Sequence, residues 1–353
     1  MLNFYPGPSR VNAKIPKYML DAYREGVVSI NHRSPEFVEI SKSCIKLLKK
    51  KLNIPGDYSI FYTSSATETW EIIAQSLIRK SSYHIFNGAF GQRWFTYTKK
   101  LHPKSTGYHF PFGSLLPIRD INVPDHAEVI CITQNETSNA TQIPNHLISK
   151  IREKYNNQLI AVDATSSLAG IKLSIDNADV WFASVQKCFG LPAGLGLMIC
   201  SPKAIEHAKN INNQKHYNSL LAMVDKMAGY QTTHTPNVLN IYLLKRVMKA
   251  APNVNITHKK TLERFNDWMD FLSKFEAFEL LNPNPEVQSH TVIGIKGSQK
   301  LIEKVHQNAK QAGIILGQGY GELKESTIRV ANFPAIKERE IKICQKFFKR
   351  TFE

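Results

Sequence analysis

Two short apolar segments, each ending at a reactive polar residue, constrain this 353-residue chain most strongly. One runs from Leu159 to Asp163; the other runs from Asp179 to Val185 and is followed at once by Gln186 and Lys187. Runs of this kind are typical of strands buried in a parallel sheet. The carboxyl ends of neighbouring strands in such a sheet lie side by side, and ligands bind there. We therefore expect Asp163 and Lys187 to face one common site.

Apolar strand-like segments alternate with helical patterns along most of the chain. This alternation predicts an α/β fold with a mostly parallel central sheet flanked by helices. Near residue 240 the pattern changes to longer, more charged helices with fewer strands. We therefore predict an N-terminal arm over residues 1–14 that packs near a small domain, a large domain over 15–240, and a smaller α+β domain over 241–353. The predicted elements are helices 35–52, 68–79, 241–250, 261–275 and 337–348, and strands 59–62, 128–133, 195–200, 291–295 and 326–331.

The composition restricts the class of protein. A hydrophobic content of 42% and a charged content of 21% are typical of globular chains. The net charge of +16 comes from dispersed residues whose longest run is Lys49–Lys51, so a solvated basic surface is expected rather than a nucleic-acid site. No zinc-ligand spacing and no apolar run long enough for a bilayer occur, so we expect no metal and no membrane association. Five scattered cysteines favour reduced thiols and a cytoplasmic protein.

A lysine and a carboxylate at neighbouring strand ends meet the needs of one cofactor, pyridoxal 5'-phosphate (PLP). In that chemistry the lysine amine holds the aldehyde as a Schiff base, and the carboxylate keeps the pyridine nitrogen protonated. Burial near the cofactor would leave the amine of Lys187 partly deprotonated at neutral pH, as this role requires. We predict that Lys187 and Asp163 are the catalytic residues.

The segment Thr63–Thr67 joins a predicted strand to a predicted helix. Backbone N–H groups at the start of a helix are unpaired and, together with small hydroxyl side chains, can bind an anion. We expect Ser65, Ala66 and Thr67 to hold the cofactor phosphate.

Three other sequence features fit the same chemistry. Phe90 lies in a turn bracketed by glycines, where its ring can stack on the pyridine. Arg329 lies inside an apolar strand, and its guanidinium fork suits the carboxylate of a substrate. The adjacent residues His32 and Arg33 precede a helix and can bind a second anion on the substrate.

These motifs together resemble those of the class V aminotransferases, which have the type I PLP-transferase fold, and within them the phosphoserine aminotransferase family. The similarity runs over almost the whole chain. Its most specific matches are Asp163–Ser167 and Ser184–Lys187, and it extends to His32–Phe37 and to the opening segment Asn3–Pro8.

The resemblance implies further site residues. Thr137, in the segment Asn135–Thr137, would contact the ring hydroxyl of PLP, and Gln186 would contact its phosphate. His234 and Thr235 would reach the phosphate bound by a neighbouring subunit. The family resemblance therefore implies a homodimer with shared active sites.

The chain departs from the family pattern at three places. Phe90 stands where tryptophan is common, so an aromatic ring is kept, and His234 stands where asparagine is common. Phosphoserine enzymes often carry a His-Arg pair before the residue matching Arg329, and that pair helps to hold the substrate phosphate. This chain has Glu322-Leu323 there, followed by Lys324.

The resemblance implies a PLP-dependent transaminase acting on an amino acid and a 2-oxo acid, with O-phospho-L-serine and 2-oxoglutarate as the preferred pair, in serine biosynthesis. Because the His-Arg pair is absent, a class V enzyme that uses serine or alanine with glyoxylate or pyruvate is the alternative. A cysteine desulfurase would need a thiol on a mobile loop, and no cysteine lies between Cys200 and Cys344. A non-enzymatic basic protein would instead bind DNA or RNA in a salt-sensitive way.

Overall fold

The computed structural model describes residues 1–352, which form two β-sheets, a two-stranded ribbon and eleven α-helices. None of these helices combines the length and the hydropathy needed to cross a bilayer. The helices are α1 (Ile15–Arg24), α2 (Pro35–Leu52), α3 (Ala66–Leu77), α4 (Ala89–Leu101), α5 (Asn145–Lys154), α6 (Pro202–Ile211), α7 (Leu220–Ala228), α8 (Val238–Ala250), α9 (Val254–Leu272), α10 (Gln299–Gln311) and α11 (Glu338–Phe352).

The larger sheet has seven strands in the spatial order β2-β10-β9-β8-β5-β3-β4. Every strand runs in the same direction except β10, which is antiparallel to both of its neighbours. The strands are β2 (Ser59–Thr63), β3 (Ser82–Phe86), β4 (Thr106–His109), β5 (Val129–Thr133), β8 (Leu159–Asp163), β9 (Val180–Ser184) and β10 (Gly196–Cys200), and the ribbon is formed by β6 (Asn135–Glu136) and β7 (Thr141–Gln142).

Helices cover both faces of this sheet because the central strands are apolar on both sides. Strand β9 illustrates the alternation: Trp181 packs into the core shared with α1, α2, α5 and α8, whereas Phe182 packs into the core shared with α3, α4, α6 and α7. All five residues of β9 are buried. The predicted α/β fold with a mostly parallel central sheet is therefore confirmed.

The smaller sheet has five strands in the order β1-β13-β14-β12-β11. Its core, built around Trp268 and Phe348, is closed by α9, α10 and α11. The opening residues, predicted as an extended arm, supply an edge strand that runs parallel to β13. The strands are β1 (Leu2–Phe4), β11 (Glu279–Leu280), β12 (Val292–Lys296), β13 (Ile314–Gln318) and β14 (Thr327–Ala331).

Helix α8 belongs to the core of the larger sheet rather than to the smaller unit. Ile241, Leu244 and Val247 are buried against the same cluster as helix α2. After α8, the first buried residue that joins the smaller core is Phe265, which lies within α9. We therefore propose a domain boundary in α9 instead of the boundary near residue 240 expected from the charge pattern.

Candidate active site

The carboxyl ends of the parallel strands meet at one edge of the larger sheet. Asp163 is the last residue of β8, and Lys187 follows the end of the adjacent strand β9. Both side chains line one pocket of about 220 Å³, a volume several times that of a water molecule. Among the predicted site residues, those that line this pocket are Ala66, Thr67, Phe90, Thr137, Asp163, Gln186, Lys187 and Arg329.

Lys187 is a buried lysine with polar but uncharged direct partners. Its ammonium donates to the hydroxyls of Thr137 and Ser166, each at 2.9 Å, and those two hydroxyls are themselves hydrogen-bonded to each other. Burial lowers the pKa of Lys187 from 10.5 to about 8, although the nearby Asp163 carboxylate opposes the shift. The neutral amine is thus accessible near physiological pH, as a nucleophilic lysine requires.

The Asp163 carboxylate is held in place from two sides. The backbone N–H of Thr165 donates to Oδ1 at 2.9 Å, and the indole N–H of Trp70 donates to Oδ2 at 3.4 Å. Burial raises the pKa of Asp163, while the contacts with Thr165, Lys187 and Trp70 oppose the shift. A buried carboxylate in this position gains from a cationic or N–H donor placed in the pocket.

The start of α3 forms another wall of the pocket. The backbone N–H of Ala66 donates to the hydroxyl of Ser184 at 2.8 Å, while the Ser65 hydroxyl accepts from the N–H of Glu68 and so caps the helix. The Ser65 side chain is therefore engaged in capping, and it is Ala66 and Thr67 that line the pocket. The positive end of a twelve-residue helix points at this wall.

Phe90 lies in the first turn of α4, one residue after its start, so the turn bracketed by glycines is the beginning of a helix. Its ring centroid is 5.3 Å from the Lys187 nitrogen. One oxygen of the buried Glu136 carboxylate accepts from the N–H groups of Phe90 and Gly91 at 3.1 and 3.0 Å. The other accepts from the N–H and the hydroxyl of Ser138. Glu136 therefore fixes the start of α4 and, with it, the Phe90 ring.

Arg329 reaches the pocket from β14 of the smaller sheet. Its guanidinium donates to the backbone oxygens of Gln318 and Thr137 at 2.7 and 2.8 Å. Across residues 1–352 no carboxylate lies within ion-pair distance of this buried guanidinium. Burial lowers the pKa of Arg329, so an incoming carboxylate would relieve an unpaired buried charge.

Besides Ser65, four predicted residues lie outside the pocket of their own chain. Arg33 donates to the side-chain oxygen of Gln231 at 2.9 Å. Burial, followed by the charges of Arg33 and His234, lowers the pKa of His32, so these residues are close neighbours. The His234 ring makes an edge contact with Tyr217, and Thr235 is exposed. The structure thus gathers His32, Arg33 and His234 into a second polar cluster.

Unpartnered polar atoms in the pocket wall provide a test of whether PLP fits there. The hydroxyls of Thr133 and Thr165 and the side-chain oxygens of Asn135 and Gln186 are buried and have no hydrogen-bond partner among the described residues. Buried polar atoms of native proteins are normally paired. Together with the lysine, the aspartate, the aromatic ring and the helix start, these atoms fit a polar, phosphorylated pyridine.

The N-terminal arm forms part of the pocket wall. Tyr5, Pro6 and Gly7 all line it. A Cβ atom at Gly7 would lie 2.7 Å from Cε of Lys187, and Gly7 has a φ of +142°. The absence of a side chain at Gly7 therefore allows the arm to lie directly on the lysine stem.

The pocket residues to which sequence reasoning assigned no role include Trp70, Arg93, Tyr320 and, behind the wall, Glu136. Trp70 and Arg93 each lie one turn or less beyond a predicted site segment on the same helix, a spacing that could have indicated them. Tyr320 follows the last strand before β14. Its approach to Arg329 depends on the pairing of β13 with β14, which local sequence does not specify.

The fold and this pocket together define a PLP-dependent transaminase. The aminotransferase class-V family model matches residues 118–327, and the chain belongs to this family. A phosphoserine aminotransferase from Cytophaga hutchinsonii, whose crystal structure is known, is 33% identical with a TM-score of 0.96, covering 100% of this chain and 99% of its own.

Two other proteins are similar to this chain over nearly its whole length. A phosphoserine aminotransferase from Rhodococcus opacus is 26% identical over 353 residues, which is 95% of this chain and 91% of that protein. An alanine–glyoxylate aminotransferase from Nostoc is only 15% identical, yet its structure matches with a TM-score of 0.84 over 100% of this chain and 96% of its own. The latter similarity establishes the common fold alone.

Proposed function

We propose that this chain transfers the amino group of O-phospho-L-serine to 2-oxoglutarate, as a step of serine biosynthesis. The observation that carries this proposal is the meeting of Lys187, Asp163 and Arg329 in one pocket of a chain similar to phosphoserine aminotransferases. Five buried free cysteines suit a reducing compartment such as the cytoplasm.

In this proposal each wall of the pocket holds one part of the cofactor. The start of α3 at Ala66 and Thr67, with Gln186, binds the phosphate. Asp163 would accept a hydrogen bond from the protonated pyridine nitrogen, Phe90 would cover the ring face, and the Thr137 hydroxyl would face the ring hydroxyl. PLP supplies an aldehyde that exchanges amino groups and a ring that accepts electrons.

The chain's own residues then bind the substrate and move a proton. Arg329 binds the α-carboxylate with the guanidinium N–H groups that Gln318 and Thr137 leave free. Nζ of Lys187 takes the proton from the α-carbon of the amino acid. A general base works best when its pKa lies near the working pH, and the pKa of Lys187, lowered to about 8, meets this condition. The N-terminal arm lies against the Lys187 side chain at Gly7, and in this position it shields Nζ from water.

We also propose that two copies of the chain share their active sites. His32, Arg33 and His234 form a polar cluster that does not line the pocket of their own chain. In a dimer, His234 and Thr235 would bind the cofactor phosphate of the partner, and His32 and Arg33 would bind a second anion on its substrate. The guanidinium of Arg33 and the hydrogen-bonding groups of the other three side chains suit these tasks.

A second candidate is a transaminase for serine or alanine with glyoxylate or pyruvate. Glu322 and Lys324, which occupy the segment of the family's His-Arg pair, are exposed and do not line the pocket. A phosphate-binding pair at that segment is thus missing, which favours a smaller, uncharged side chain in the substrate.

The deciding experiment measures the half-reaction of the PLP-loaded protein with phosphoserine, serine and alanine. We expect the largest kcat/KM with phosphoserine; faster conversion of serine would overturn the substrate assignment. Reduction with borohydride followed by peptide mapping should find the cofactor on Lys187. The Lys187→Ala variant should lose both the yellow colour and multiple turnover, while Lys203→Ala, a surface control, should keep them. Cofactor trapped at any other lysine contradicts the proposed site.

A further inference from the structure

Arg93 is a cation in the pocket wall without an acidic partner. It lies one turn after Phe90 on α4, so both side chains point to the same side of the helix. Its guanidinium donates to the Tyr320 hydroxyl at 3.3 Å. Throughout the described part of the chain, no carboxylate lies within ion-pair distance of Arg93. An arginine placed this way is free to bind an anion that enters the pocket.

Tyr320 connects Arg93 with the rest of the substrate pocket. Its ring lies 5.4 Å from the ring of Phe90, and the Arg329 guanidinium carbon lies 5.8 Å from its centroid. The phenol group of Tyr320 therefore contacts the guanidinium groups of both Arg93 and Arg329. Because Tyr320 lies in the loop between β13 and β14 of the smaller sheet and Arg93 lies in α4, which packs on the larger sheet, their contact also bridges the two units.

The loop that carries Tyr320 is tightly constrained. A Cβ atom at Gly319 would lie 1.8 Å from the backbone oxygen of Leu323, and Gly321 has a φ of +58°. Glycine at both positions lets the chain turn sharply, so that Tyr320 points into the pocket while Glu322 stays exposed. The loop therefore presents a phenol to the pocket in place of charged side chains.

We propose that Arg93 and the Tyr320 hydroxyl bind the distal anion of a doubly anionic substrate, a phosphate ester or a second carboxylate, alongside the His32 and Arg33 pair proposed to reach it from a partner chain, while Arg329 binds its α-carboxylate. This inference rests on the proposed function, and it supplies the anion site that the exposed Glu322 and Lys324 do not. A guanidinium fork with an adjacent hydroxyl donor matches both phosphate and carboxylate oxygens. Amino acids with short neutral side chains gain nothing from this site.

The test compares two unreactive acids on the PLP-loaded enzyme, glutarate with two carboxylates and butyrate with one. Calorimetry gives their dissociation constants for the wild type and for Arg93→Gln. We expect the substitution to weaken glutarate about 10- to 100-fold, the loss of one charge-assisted hydrogen-bonded pair, and to leave butyrate unchanged. Tyr320→Phe should weaken glutarate by less, about two- to tenfold, because the charge remains. Arg119→Gln, at a side chain that is 91% exposed, is the matched control.

The outcomes separate this inference from the proposed function. Equal weakening of both acids would assign Arg93 a structural role, and unchanged glutarate binding would mean that it binds no anion; either result overturns the inference. Failure of the wild type to convert phosphoserine, with selective loss of glutarate in Arg93→Gln, would overturn the phosphoserine assignment and leave the distal anion site standing. Circular dichroism and cofactor absorbance verify that each variant is folded and loaded.

Discussion

At the scale of single residues, the pocket combines a few groups that sequence patterns reveal with others that only the folded chain brings near. Lys187 and Asp163 were predictable because each follows an apolar strand, and parallel neighbours end at the same edge. Glu136 was not, because its importance lies in the N–H groups of Phe90 and Gly91, which are far away in sequence. Hydrogen bonds of this kind leave no local signal.

The lowered pKa of Lys187 predicts how cofactor capture depends on pH. The neutral amine attacks the aldehyde, and its fraction grows as pH rises through about 8. The rate at which the cofactor-free protein turns yellow with PLP should therefore rise about tenfold per pH unit below 8 and level off above it. Stopped-flow absorbance measures this profile. A rate that keeps rising towards pH 10.5, the ordinary pKa of lysine, would contradict the proposed effect of burial.

Replacing Glu136 with glutamine should loosen the start of α4. One carboxylate oxygen of Glu136 accepts from Phe90 and Gly91, and the other accepts twice from Ser138. Glutamine replaces one of these oxygens with an amide nitrogen, which cannot accept, so the two buried donors on that side lose their acceptor. We expect a loss of about 1–3 kcal/mol in the free energy of unfolding, together with weaker PLP binding. Urea unfolding and cofactor titration measure the two effects.

Glu153→Gln provides the control for that substitution, because Glu153 is an exposed residue of α5. The change should leave both the unfolding free energy and the affinity for PLP as they are. Normal stability in Glu136→Gln would show that the carboxylate does not anchor the helix.

At the scale of elements, apolar strands were easier to predict than strands with polar residues. Strand β8 occupies the predicted residues Leu159–Asp163, whereas β3 was missed. Strand β3 contains Ser82 and His84, which are hydrogen-bonded to each other and buried, and the His84 ring packs on the edge of Trp94. Burial lowers the pKa of His84 to about 3, so it serves as a neutral core residue. Hydropathy alone cannot identify such a strand.

The close approach of the N-terminal arm to Lys187 predicts a specific effect of the substitution Gly7→Ala. The added methyl would lie 2.7 Å from Cε of Lys187, at a φ of +142° that alanine avoids. Either the arm or the lysine must shift, and displacement of a reacting group by about 1 Å can cost about 100-fold in rate. We expect kcat to fall by at least about tenfold. Gly113→Ala, where nothing lies within 4 Å of the new methyl, should behave as wild type.

Steady-state assays with the preferred amino donor measure this effect. Thermal unfolding of the same variant distinguishes a displaced arm from a globally weakened protein. If Gly7→Ala keeps full activity, the arm does not constrain the lysine.

At the scale of the whole molecule, both the net charge and the proposed dimer affect how anionic substrates are bound. The net charge of +16 is dispersed, and it would draw multiply anionic substrates towards the protein. Within the cluster of His32, Arg33 and His234, the guanidinium of Arg33 adds positive charge outside the chain's own pocket. A dimer in which this cluster faces the partner's pocket makes each active site dependent on both chains.

Shared sites predict recovery of activity when two inactive variants are mixed. A Lys187→Ala chain lacks the amine but keeps its polar cluster, and a chain with His32→Ala and Arg33→Ala keeps the amine. After subunit exchange at equal amounts, half of the dimers are mixed and each has one complete site, so about a quarter of wild-type sites should return. Half-reaction amplitudes count these sites.

The control mixes Lys187→Ala with Asp163→Asn. Both residues line the same chain's pocket, so no mixed dimer has a complete site and no recovery is expected. Absence of recovery in the first mixture, with exchange verified by differently tagged chains, would contradict shared active sites.

The pairing of β1 with β13 joins segments more than 300 residues apart in sequence, since Leu2 lies opposite Ile314. During synthesis Leu2 leaves the ribosome well before its partner strand, which is translated more than 300 residues later. The smaller sheet and the arm that packs on Lys187 are therefore completed only after β13 has emerged. A nascent chain stalled before Ile314 would hold a formed larger sheet with an uncovered lysine.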